Sequence, residues 1–510
     1  MASDPDSDLQ PSPSGIAEDQ NELPTLPNHV MQGLAKVATK KHTDAGAADA
    51  TASSVVTSAG EDDAATAAGT GAYALVRTPR STQADDVVLR VESRRERQVP
   101  PSAGLHLSVP EVFHVVGDMI AEHVANPEGS RLKKYLPRVR KMFLPLDLSR
   151  AANEYDASKH FLSRKRVPPT FKEVRHILNL ATVNAIAGHV KLVTFDADDT
   201  IYEDGGVIHA ASKMVRVVVE LLSRGIVVSL VTAAGYPGAP ARYEERLRGI
   251  LDALAPLPPE QRARFFVMGG ECNYLLETYA AGDADAGQLA LRELPGRVWK
   301  DGRGERWEEA AVQQLLDVAE RVLRDTTALL HMSAAVILRK DRAVGIVNTT
   351  PHKRFLYENL EEVCLAVQEA LRGVDVPFCA FNGGNDVWVD VGNKALGIQA
   401  LQKYVLRFLP PELQGEEFTK IQGRECLHVG DRFTSTGNDT RSRDAATTVW
   451  VSDPSETVHI MKKLLKAVDA ARSSTSATVT AAADCSASEQ LLETRVEEAI
   501  SAATQAPTTE

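Results

Sequence analysis

Cysteine, aromatic residues and long apolar runs are all scarce in this chain. Its 510 residues include five cysteines, which are scattered and form no CxxC pair. That pattern argues against a disulfide scaffold and a cysteine-rich zinc site, and it fits a reducing compartment. No stretch approaches the roughly 18–20 apolar residues that span a bilayer, and the acidic start MASDPDSDLQPSPSG does not resemble a signal peptide. We therefore expect a soluble cytoplasmic protein.

Positive charge is also in deficit, because 57 Lys and Arg residues stand against 69 Asp and Glu residues, a formal net charge of −12. A general nucleic-acid-binding protein usually has a basic excess, so this class is disfavoured. The chain contains no GKS or GKT string typical of phosphate-binding loops and no GxSxG string typical of serine hydrolases. NTPase and serine-hydrolase functions therefore have no support.

The residues that are present can build a packed core. Hydrophobic residues make up 43% of the chain, and its length suggests about three domain-sized units. The two ends are rich in Ala, Ser, Thr and Asp and bury too little apolar surface to offset backbone entropy, so we predict disordered tails at 1–87 and 473–510. Between the tails we expect an N-terminal helical domain over 88–185, a core over 186–239 and 376–472, and an inserted domain over 240–375.

In the second half of the chain, apolar strand candidates alternate with helices. The strand candidates are Val190–Phe195, Ile226–Val231, Asp386–Val391, Glu425–Val429 and Thr447–Val451. Helical patterns cover Ala395–Phe408 and Val458–Ala467. Continuous apolar strands are expected where helices cover both faces of a sheet. The alternation predicts an α/β fold with a doubly wound parallel sheet, interrupted by an α+β insertion.

An acidic loop directly follows the first of these strands. It contains Asp196, Asp198, Asp199 and then Glu203. Ligand sites in open α/β sheets lie beyond the carboxyl ends of strands, and clustered carboxylates suit Mg²⁺. Two carboxylates two residues apart can divide the work of nucleophile and general acid–base. The alternative is a solvated acidic turn, which the position after an apolar strand disfavours.

Three further features follow strands in chain order. A hydroxyl at Thr232 could hold phosphoryl oxygens, although Thr commonly ends strands. Lys394 begins a helix and could neutralise a phosphoryl group, although most lysines lie on the surface. Asp431 could complete a metal site, with Asn438 or Asp439 supporting the ligands. Each feature alone is weak evidence for a phosphoryl-binding site. Together they are stronger evidence, because they follow the acidic pair in chain order.

This order of acidic pair, Thr, Lys and acidic loop resembles the haloacid-dehalogenase phosphohydrolase superfamily. The insertion between Thr232 and Lys394 lies where that superfamily places a C2-type cap. Longer segments resemble the IMP-specific 5′-nucleotidase family, over about residues 88–470: VTFDADDTIYEDGG, VPPTFKEVRHILNLA, FNGGNDVWVDVGNKALGIQAL and LHVGDRFTSTGNDTRSR. The resemblance implies a Rossmann-like HAD-type core, a C2-type cap over 240–375 and an N-terminal helical domain with a regulatory or oligomerisation role.

The resemblance also implies an activity, the hydrolysis of IMP to inosine and phosphate with Mg²⁺. Family members are cytosolic, tend to be homotetramers, and are activated by ATP through the N-terminal region. By motif, Asp196 would be the nucleophile that becomes a phosphoaspartate, and Asp198 would protonate the leaving oxygen and then deprotonate water. Mg²⁺ would be held by Asp196, the backbone carbonyl of Asp198, and Asp431. Thr232 and Lys394 would bind the phosphoryl group.

The same resemblance assigns Asp204 to the substrate, where its carboxylate could accept hydrogen bonds from ribose hydroxyls. Two positions depart from the expected motif. Ala197 stands where many relatives would have Gly, and Ala resists positive φ, so the loop must be right-handed or extended there. Asp199 adds a charge beside the catalytic pair. Neither departure removes a functional group.

Recognition of the base is the least determined feature. Selecting inosine over adenosine needs a donor to O6 and an acceptor for N1–H. The candidates are Asn382, Asn385, Asp386 and Trp388. Each also has a structural interpretation, because Asn-Gly-Gly-Asn is a good turn and Trp388 falls in a strand.

Basic residues are concentrated in the N-terminal part. A polyphosphate such as ATP could be bound by Arg164, Lys165, Arg166, Lys172 and a stacking His176. The alternative is a solvated helical face or an interface.

Two other functions stay open from the sequence. One is a sugar-phosphate phosphatase or phosphomutase of the same fold, and the other is a catalytically inactive nucleotide-sensing scaffold.

Overall fold

The computed structural model describes residues 73–77, 87–91, 107–281, 288–300, 307–350, 352–411 and 419–474. The predicted disordered tails fall mostly outside these ranges. Part of the first tail does not, because β1 (Tyr73–Arg77) forms a strand where we expected no fixed structure. It pairs antiparallel with β2 (Val87–Val91), which lies at the start of the predicted helical domain. Their sequences, YALVR and VVLRV, together contain four valines and one tyrosine, residue types that favour strands.

Helices dominate the next part of the chain. They are α1 (Val109–Ala125), α2 (Arg131–Tyr135), α3 (Leu148–Lys159) and α4 (Phe171–Ile186), with a 3₁₀ turn at Phe161–Ser163. Helix α4 begins at a capping box, in which Thr170 and Glu173 each accept a hydrogen bond from the other's backbone N–H. No helix in the described ranges is long and apolar enough to cross a membrane.

A seven-stranded sheet forms the centre of the described structure. Its strand order is β13-β12-β3-β4-β5-β6-β7, parallel from β13 to β5 and antiparallel from β5 to β7. The strands are β3 (Leu192–Phe195), β4 (Val227–Val231), β5 (Phe265–Gly269), β6 (Tyr274–Ala281), β7 (Gln288–Leu294), β12 (Cys426–Gly430) and β13 (Thr447–Trp450). The parallel register brings the carboxyl ends of β12, β3 and β4 to one edge.

Helices cover both faces of this sheet. Val193 and Val228 pack into one apolar core, whereas the adjacent Leu192 and Val227 pack into another. The helices around the sheet are α5 (Lys213–Ser223), α6 (Pro240–Leu254), α7 (Pro259–Arg262), α8 (Gly296–Trp299), α11 (Lys394–Tyr404) and α12 (454–474). Because side chains alternate across a strand, burial on both sides explains the continuous apolar runs. The doubly wound α/β core is confirmed.

A second, four-stranded antiparallel sheet has the order β10-β11-β9-β8. Its strands are β8 (Ala335–Lys340), β9 (Ala343–Asn348), β10 (Phe378–Asn382) and β11 (Val387–Val391). The helices α9 (Glu309–Leu329) and α10 (Tyr357–Ala370) share an apolar core with it.

This second sheet changes two placements made from the sequence. We expected the strand Asp386–Val391 in the parallel sheet, but β11 pairs antiparallel with β9 and β10. Conversely, β5 to β7 lie within the predicted insertion and extend the large sheet. An apolar pentapeptide carries no signal for its pairing partner, so strand type was predictable and sheet membership was not. We propose a cap that runs from α9 through β11.

Candidate active site

Asp196 lies directly after β3 and is almost fully buried, with 6% of its surface exposed. Its backbone N–H donates to the carbonyl of Val429 at 2.8 Å, which holds the loop against β12. Its Oδ1 accepts the Ala197 N–H at 2.8 Å and contacts the Lys394 ammonium at 2.8 Å. Burial raises the pKa of Asp196 to about 7, although Lys394 acts in the opposite direction.

The turn that follows Asp196 has its left-handed residue at Asp199, where φ is 54°. Ala197 is not among the residues with positive φ, in agreement with the expectation for an alanine at that position. An aspartate tolerates the left-handed region better than most side chains. The Asp199 carboxylate accepts the Asp204 N–H at 3.0 Å and lies 3.4 Å from the Arg432 guanidinium. The extra charge of Asp199 therefore has a local partner.

Lys394, the first residue of α11, is completely buried. Its Nζ lies 2.6 Å from Asp439 Oδ1 as well as 2.8 Å from Asp196. Although burial opposes its charge, these carboxylates raise the pKa of Lys394 above its ordinary value. Lys394 is thus a permanent cation beside Asp196.

Asp439 accepts hydrogen bonds at both of its carboxylate oxygens. Its Oδ1 accepts from Lys394 and from His428 Nε2 at 2.9 Å, and its Oδ2 accepts the Arg432 backbone N–H at 2.9 Å. Burial lowers the pKa of His428, so this histidine is neutral and donates through Nε2, while Nδ1 lies 2.9 Å from the Thr194 hydroxyl. Despite burial, Lys394 and His428 lower the pKa of Asp439 below its ordinary value.

Asp431 completes an acidic cluster with Asp196 and Asp439, since one carboxylate oxygen of each lies within 4.8 Å of the others. Asp431 has long contacts, 3.5 Å from the Thr200 hydroxyl and 3.4 Å from Arg432 Nε. Burial raises its pKa well above the ordinary value, and Asp196 adds to the increase. The cluster brings together three carboxylates, whose oxygens are the ligands that Mg²⁺ prefers. Because the oxygens of Asp439 are already engaged, Asp196 and Asp431 fit a divalent cation best.

Thr232 follows β4 at the same edge of the sheet. Its hydroxyl oxygen accepts the Ala234 N–H at 3.1 Å, and its carbonyl accepts the Glu271 N–H at 2.9 Å. A hydroxyl that accepts one hydrogen bond retains its own proton to donate. The geometry leaves Thr232 able to donate to a phosphoryl oxygen.

Asp198 points away from Asp196 toward the next turn. Its Oδ1 accepts from the Gly205 N–H at 2.9 Å and lies 3.2 Å from Arg246. That turn carries Asp204, whose pKa is raised by burial and by the nearby Asp198. The Asp198 carboxylate, about one-third exposed, thus lies at the mouth of the site beside Asp204.

The four candidates for base recognition separate into two groups. The Asn382 side chain donates to Glu361 at 2.9 Å and accepts the Gly384 N–H at 2.8 Å, so it stabilises its own turn. Asn385 likewise accepts from neighbouring groups of the cap. In contrast, the Asp386 carboxylate accepts a hydrogen bond from Trp388 Nε1 at 2.9 Å. Burial is the main cause that raises the pKa of Asp386, and the negative charge of Asp198 raises it further. Asp386 is therefore linked electrostatically to the acidic loop, and its side chain is bonded to Trp388.

The basic N-terminal candidates differ in their partners and exposure. Arg164 pairs with Glu173 at 2.7 Å, and the His176 ring packs 5.3 Å from Tyr155. The other three are exposed: Lys165, Arg166 and Lys172. A cavity of about 2000 Å³ lies on another side of α4, and its lining includes none of these five residues.

Several residues contact the site although we did not predict them from the sequence. Arg432 and His428 flank Asp431 within the segment LHVGDRFTSTGNDTRSR, so that segment already contained the signal. Arg246 and Glu271 lie in the interval 240–375, where no motif marks them. Long-range folding alone brings them to the loops of the candidate site.

A buried aspartate after the first parallel strand, a threonine after the next, a buried lysine and a final acidic loop define a phosphohydrolase core of the haloacid-dehalogenase type. A family model described as IMP-specific 5′-nucleotidase matches residues 73–461. The chain belongs to the IMP-specific 5′-nucleotidase family, which confirms the resemblance seen in the sequence.

Individual relatives agree with this assignment. The chain is 39% identical to a protein of Neurospora crassa and 38% identical to a protein of Yarrowia lipolytica, both named IMP-specific 5′-nucleotidase 1. Each alignment covers 70% of this chain and 84% of the relative. The fold is similar to an IMP-bound mutant of Plasmodium falciparum IMP-nucleotidase, with TM-score 0.63, 32% identity, and coverage of 70% and 88% of the two chains. An ATP-bound form of that nucleotidase has TM-score 0.60 and 32% identity, with coverage of 70% and 79%.

Proposed function

We propose that this protein hydrolyses IMP to inosine and phosphate through a phosphoaspartate on Asp196, with Mg²⁺. The observation that carries the proposal is the 2.8 Å contact between the buried Asp196 and the permanently charged Lys394, at the edge where Thr232 and Asp431 also lie. This arrangement supports the proposal, because a nucleophile, a phosphoryl-binding cation and a set of metal ligands would then lie at one edge of the sheet. Similarity to the IMP-bound Plasmodium falciparum nucleotidase supports IMP as the substrate.

In the first step, an Asp196 carboxylate oxygen attacks phosphorus and the bond from phosphorus to O5′ breaks. Protonated Asp198 gives its proton to O5′, so that inosine leaves as an alcohol. Lys394 and Thr232 hold the non-bridging oxygens while charge accumulates on them. Because Asp198 is held at the mouth by Arg246 and Gly205, it must turn inward to donate this proton.

In the second step, water attacks the phosphorus of the phosphoaspartate, Asp198 accepts the water proton, and inorganic phosphate leaves with regeneration of the Asp196 carboxylate. Asp196, the carbonyl of Asp198 and Asp431 would hold Mg²⁺, with Asn438 and Asp439 supporting these loops. The cation would neutralise phosphoryl charge and lower the pKa of Asp196.

A substrate panel tests this proposal. We expect phosphate release from IMP to exceed that from AMP, GMP and a sugar phosphate by at least about tenfold in kcat/KM, because a site built to hydrogen-bond one base rejects another. EDTA should abolish release, and added Mg²⁺ should restore it. Equal rates on all substrates would contradict IMP specificity and favour a general or sugar-phosphate phosphatase. No release from any substrate would favour the inactive scaffold.

We also propose that ATP activates the enzyme through the N-terminal region, and that the protein forms a homotetramer. The ATP-bound Plasmodium falciparum nucleotidase supports the first proposal. Lys165, Arg166 and Lys172 are exposed and can reach a polyphosphate without breaking the Arg164–Glu173 pair.

We expect ATP to raise IMP hydrolysis about fivefold or more at subsaturating IMP, a typical allosteric coupling. Replacing Lys165, Arg166 and Lys172 together by Ala should remove most of this stimulation, because three cations near the phosphates are lost. Replacing Lys462 and Lys466 by Ala, two exposed lysines of α12, is the matched control and should preserve it. Full stimulation in the triple variant would show that ATP binds elsewhere.

A further inference from the structure

Glu271 occupies the turn between β5 and β6, with φ of 63° and no exposed surface. Its backbone is tied to the catalytic edge, because its N–H donates to the carbonyl of Thr232 at 2.9 Å. Its own carbonyl lies against Gly397 in the first turn of α11, where a Cβ would collide with it. Glu271 therefore sits between the loop of Thr232 and the helix that begins at Lys394.

The side chain of Glu271 meets that of Asn438. Its Oε1 accepts from Asn438 Nδ2 at 3.0 Å. Glu271 Oε2 and Asn438 Oδ1 are both buried, and within the described part of the chain neither has a hydrogen-bond partner. The two oxygens without partners thus belong to the Glu271 carboxyl and the Asn438 amide, which already share one hydrogen bond.

A carboxylate and an amide carbonyl are both acceptors and cannot bond to each other. A carboxylic acid has one O–H, so a proton on Glu271 Oε2 can be donated to Asn438 Oδ1. The pair then closes through two hydrogen bonds, and both orphaned oxygens acquire partners. Buried polar atoms in folded proteins are nearly always paired in this way.

We propose that Glu271 is a neutral carboxylic acid, bonded to Asn438 at two points, and that it is a positioning residue for the phosphoryl-binding groups Thr232 and Lys394. The positioning role rests on the proposed function. Asn438 directly precedes Asp439, which contacts Lys394 at 2.6 Å. The pair therefore joins the loop of Thr232 to the loop that holds Lys394.

The charges around Glu271 favour its neutral form. The groups that face it are Lys394, Asp390, Asp196 and the thiols of Cys272 and Cys379. Lys394 contacts Asp196 and Asp439 but makes no ion pair with Glu271 in the described structure. Burial raises the pKa of Glu271 well above its ordinary value, and Asp390 and Asp196 reinforce the increase against the effect of Lys394. A negative Glu271 would also repel the substrate phosphate.

Glu271→Gln and Glu271→Ala distinguish the neutral pair from a functional carboxylate. Gln can donate from Nε2 to Asn438 Oδ1 and accept at Oε1, so it reproduces both hydrogen bonds without a charge. We expect Glu271→Gln to keep kcat/KM for IMP within about threefold of the original protein. We expect Glu271→Ala to lose roughly 10–100-fold, as supporting residues of catalytic ligands do. Rescue by Gln and not by Ala is the expected result.

Equal loss in both variants would overturn the proposal, because it would show that the negative charge is needed. If Glu271→Ala does not fold, the Gln variant alone decides the outcome.

Infrared spectroscopy supplies a readout that does not depend on catalysis, since a buried protonated carboxyl has a carbonyl stretch that Glu271→Gln removes. Absence of that difference band would show an ionised Glu271 and refute the neutral pair. Failure of the original protein to release phosphate would refute the proposed function instead, and the infrared result would still stand.

Discussion

Replacing Asp196 by Asn should reduce phosphate release from IMP by at least about 10⁴-fold, because an amide cannot form the phosphoaspartate. Substrate binding should persist, since Lys394 and Thr232 are unchanged and one negative charge near the phosphate is removed. The variant should therefore bind IMP at least as tightly as the original protein. Single-turnover phosphate release and equilibrium binding of IMP measure the two effects separately.

The stability of the same variant has an expected sign. Burial raises the pKa of Asp196 to about 7, so in the metal-free protein the free energy of unfolding falls as the pH rises from the unfolded pKa of Asp196 to about 7. The full cost of ionising this buried carboxyl is present above that pH. An amide removes that cost, and we expect the Tm at pH 8 in EDTA to be unchanged or higher. The matched control is Asp325→Asn at an exposed position of α9, which should leave turnover and Tm unaltered. A variant that keeps more than about 1% of the original turnover rate would exclude Asp196 as the nucleophile. That rate is roughly two orders of magnitude above the rate expected after a 10⁴-fold loss.

Replacing Lys394 by Met should damage both activity and stability. The ammonium is completely buried between Asp196 and Asp439, and its loss leaves two buried carboxylates without their shared partner. Removing one member of such a buried ionic group typically costs about 3–5 kcal/mol of unfolding free energy. Loss of a preorganised phosphoryl-binding charge adds a fall of about 10²–10³-fold in kcat. Denaturant unfolding and steady-state kinetics measure these effects.

The stability loss in Lys394→Met should shrink as the pH falls, because protonation of Asp196 and then Asp439 removes the uncompensated charges. This trend separates an electrostatic effect from a packing defect, which would be insensitive to pH. Lys466→Met, at an exposed position of α12, is the matched control and should be nearly neutral. An unchanged Tm in Lys394→Met at pH 8 would contradict the structural role given to this ion-pair network.

The chemical groups of the site could be found from local sequence. Asp196 and Asp198 follow an apolar strand, and Lys394 and Asp431 stand in segments whose residue order is specific to the family. Such signals are local, since a strand, its turn and the side chain beyond it lie within ten consecutive residues. The doubly wound core was predictable for the same reason, because continuous apolar strands imply two covered faces.

The roles of other residues depend on contacts that a linear pattern does not contain. Arg246 reaches Asp198 across 48 positions, and Asn438 reaches Glu271 across 167. The turn after β3 was predictable only in part. The residue type at Ala197 indicated that this position does not have a positive φ, but nothing in the sequence indicated that Asp199 does.

The sequence by itself therefore determined the class of core, the family and the carboxylates proposed for catalysis, because these depend on residue type and local order. Only the tertiary structure decided that β11 belongs to the antiparallel cap sheet, that Asn382 stabilises its own turn, and that Lys394 is shared by Asp196 and Asp439. Strand pairing and buried ion pairs are fixed by which distant segments pack together, and that choice minimises the free energy of the whole chain rather than of any one segment.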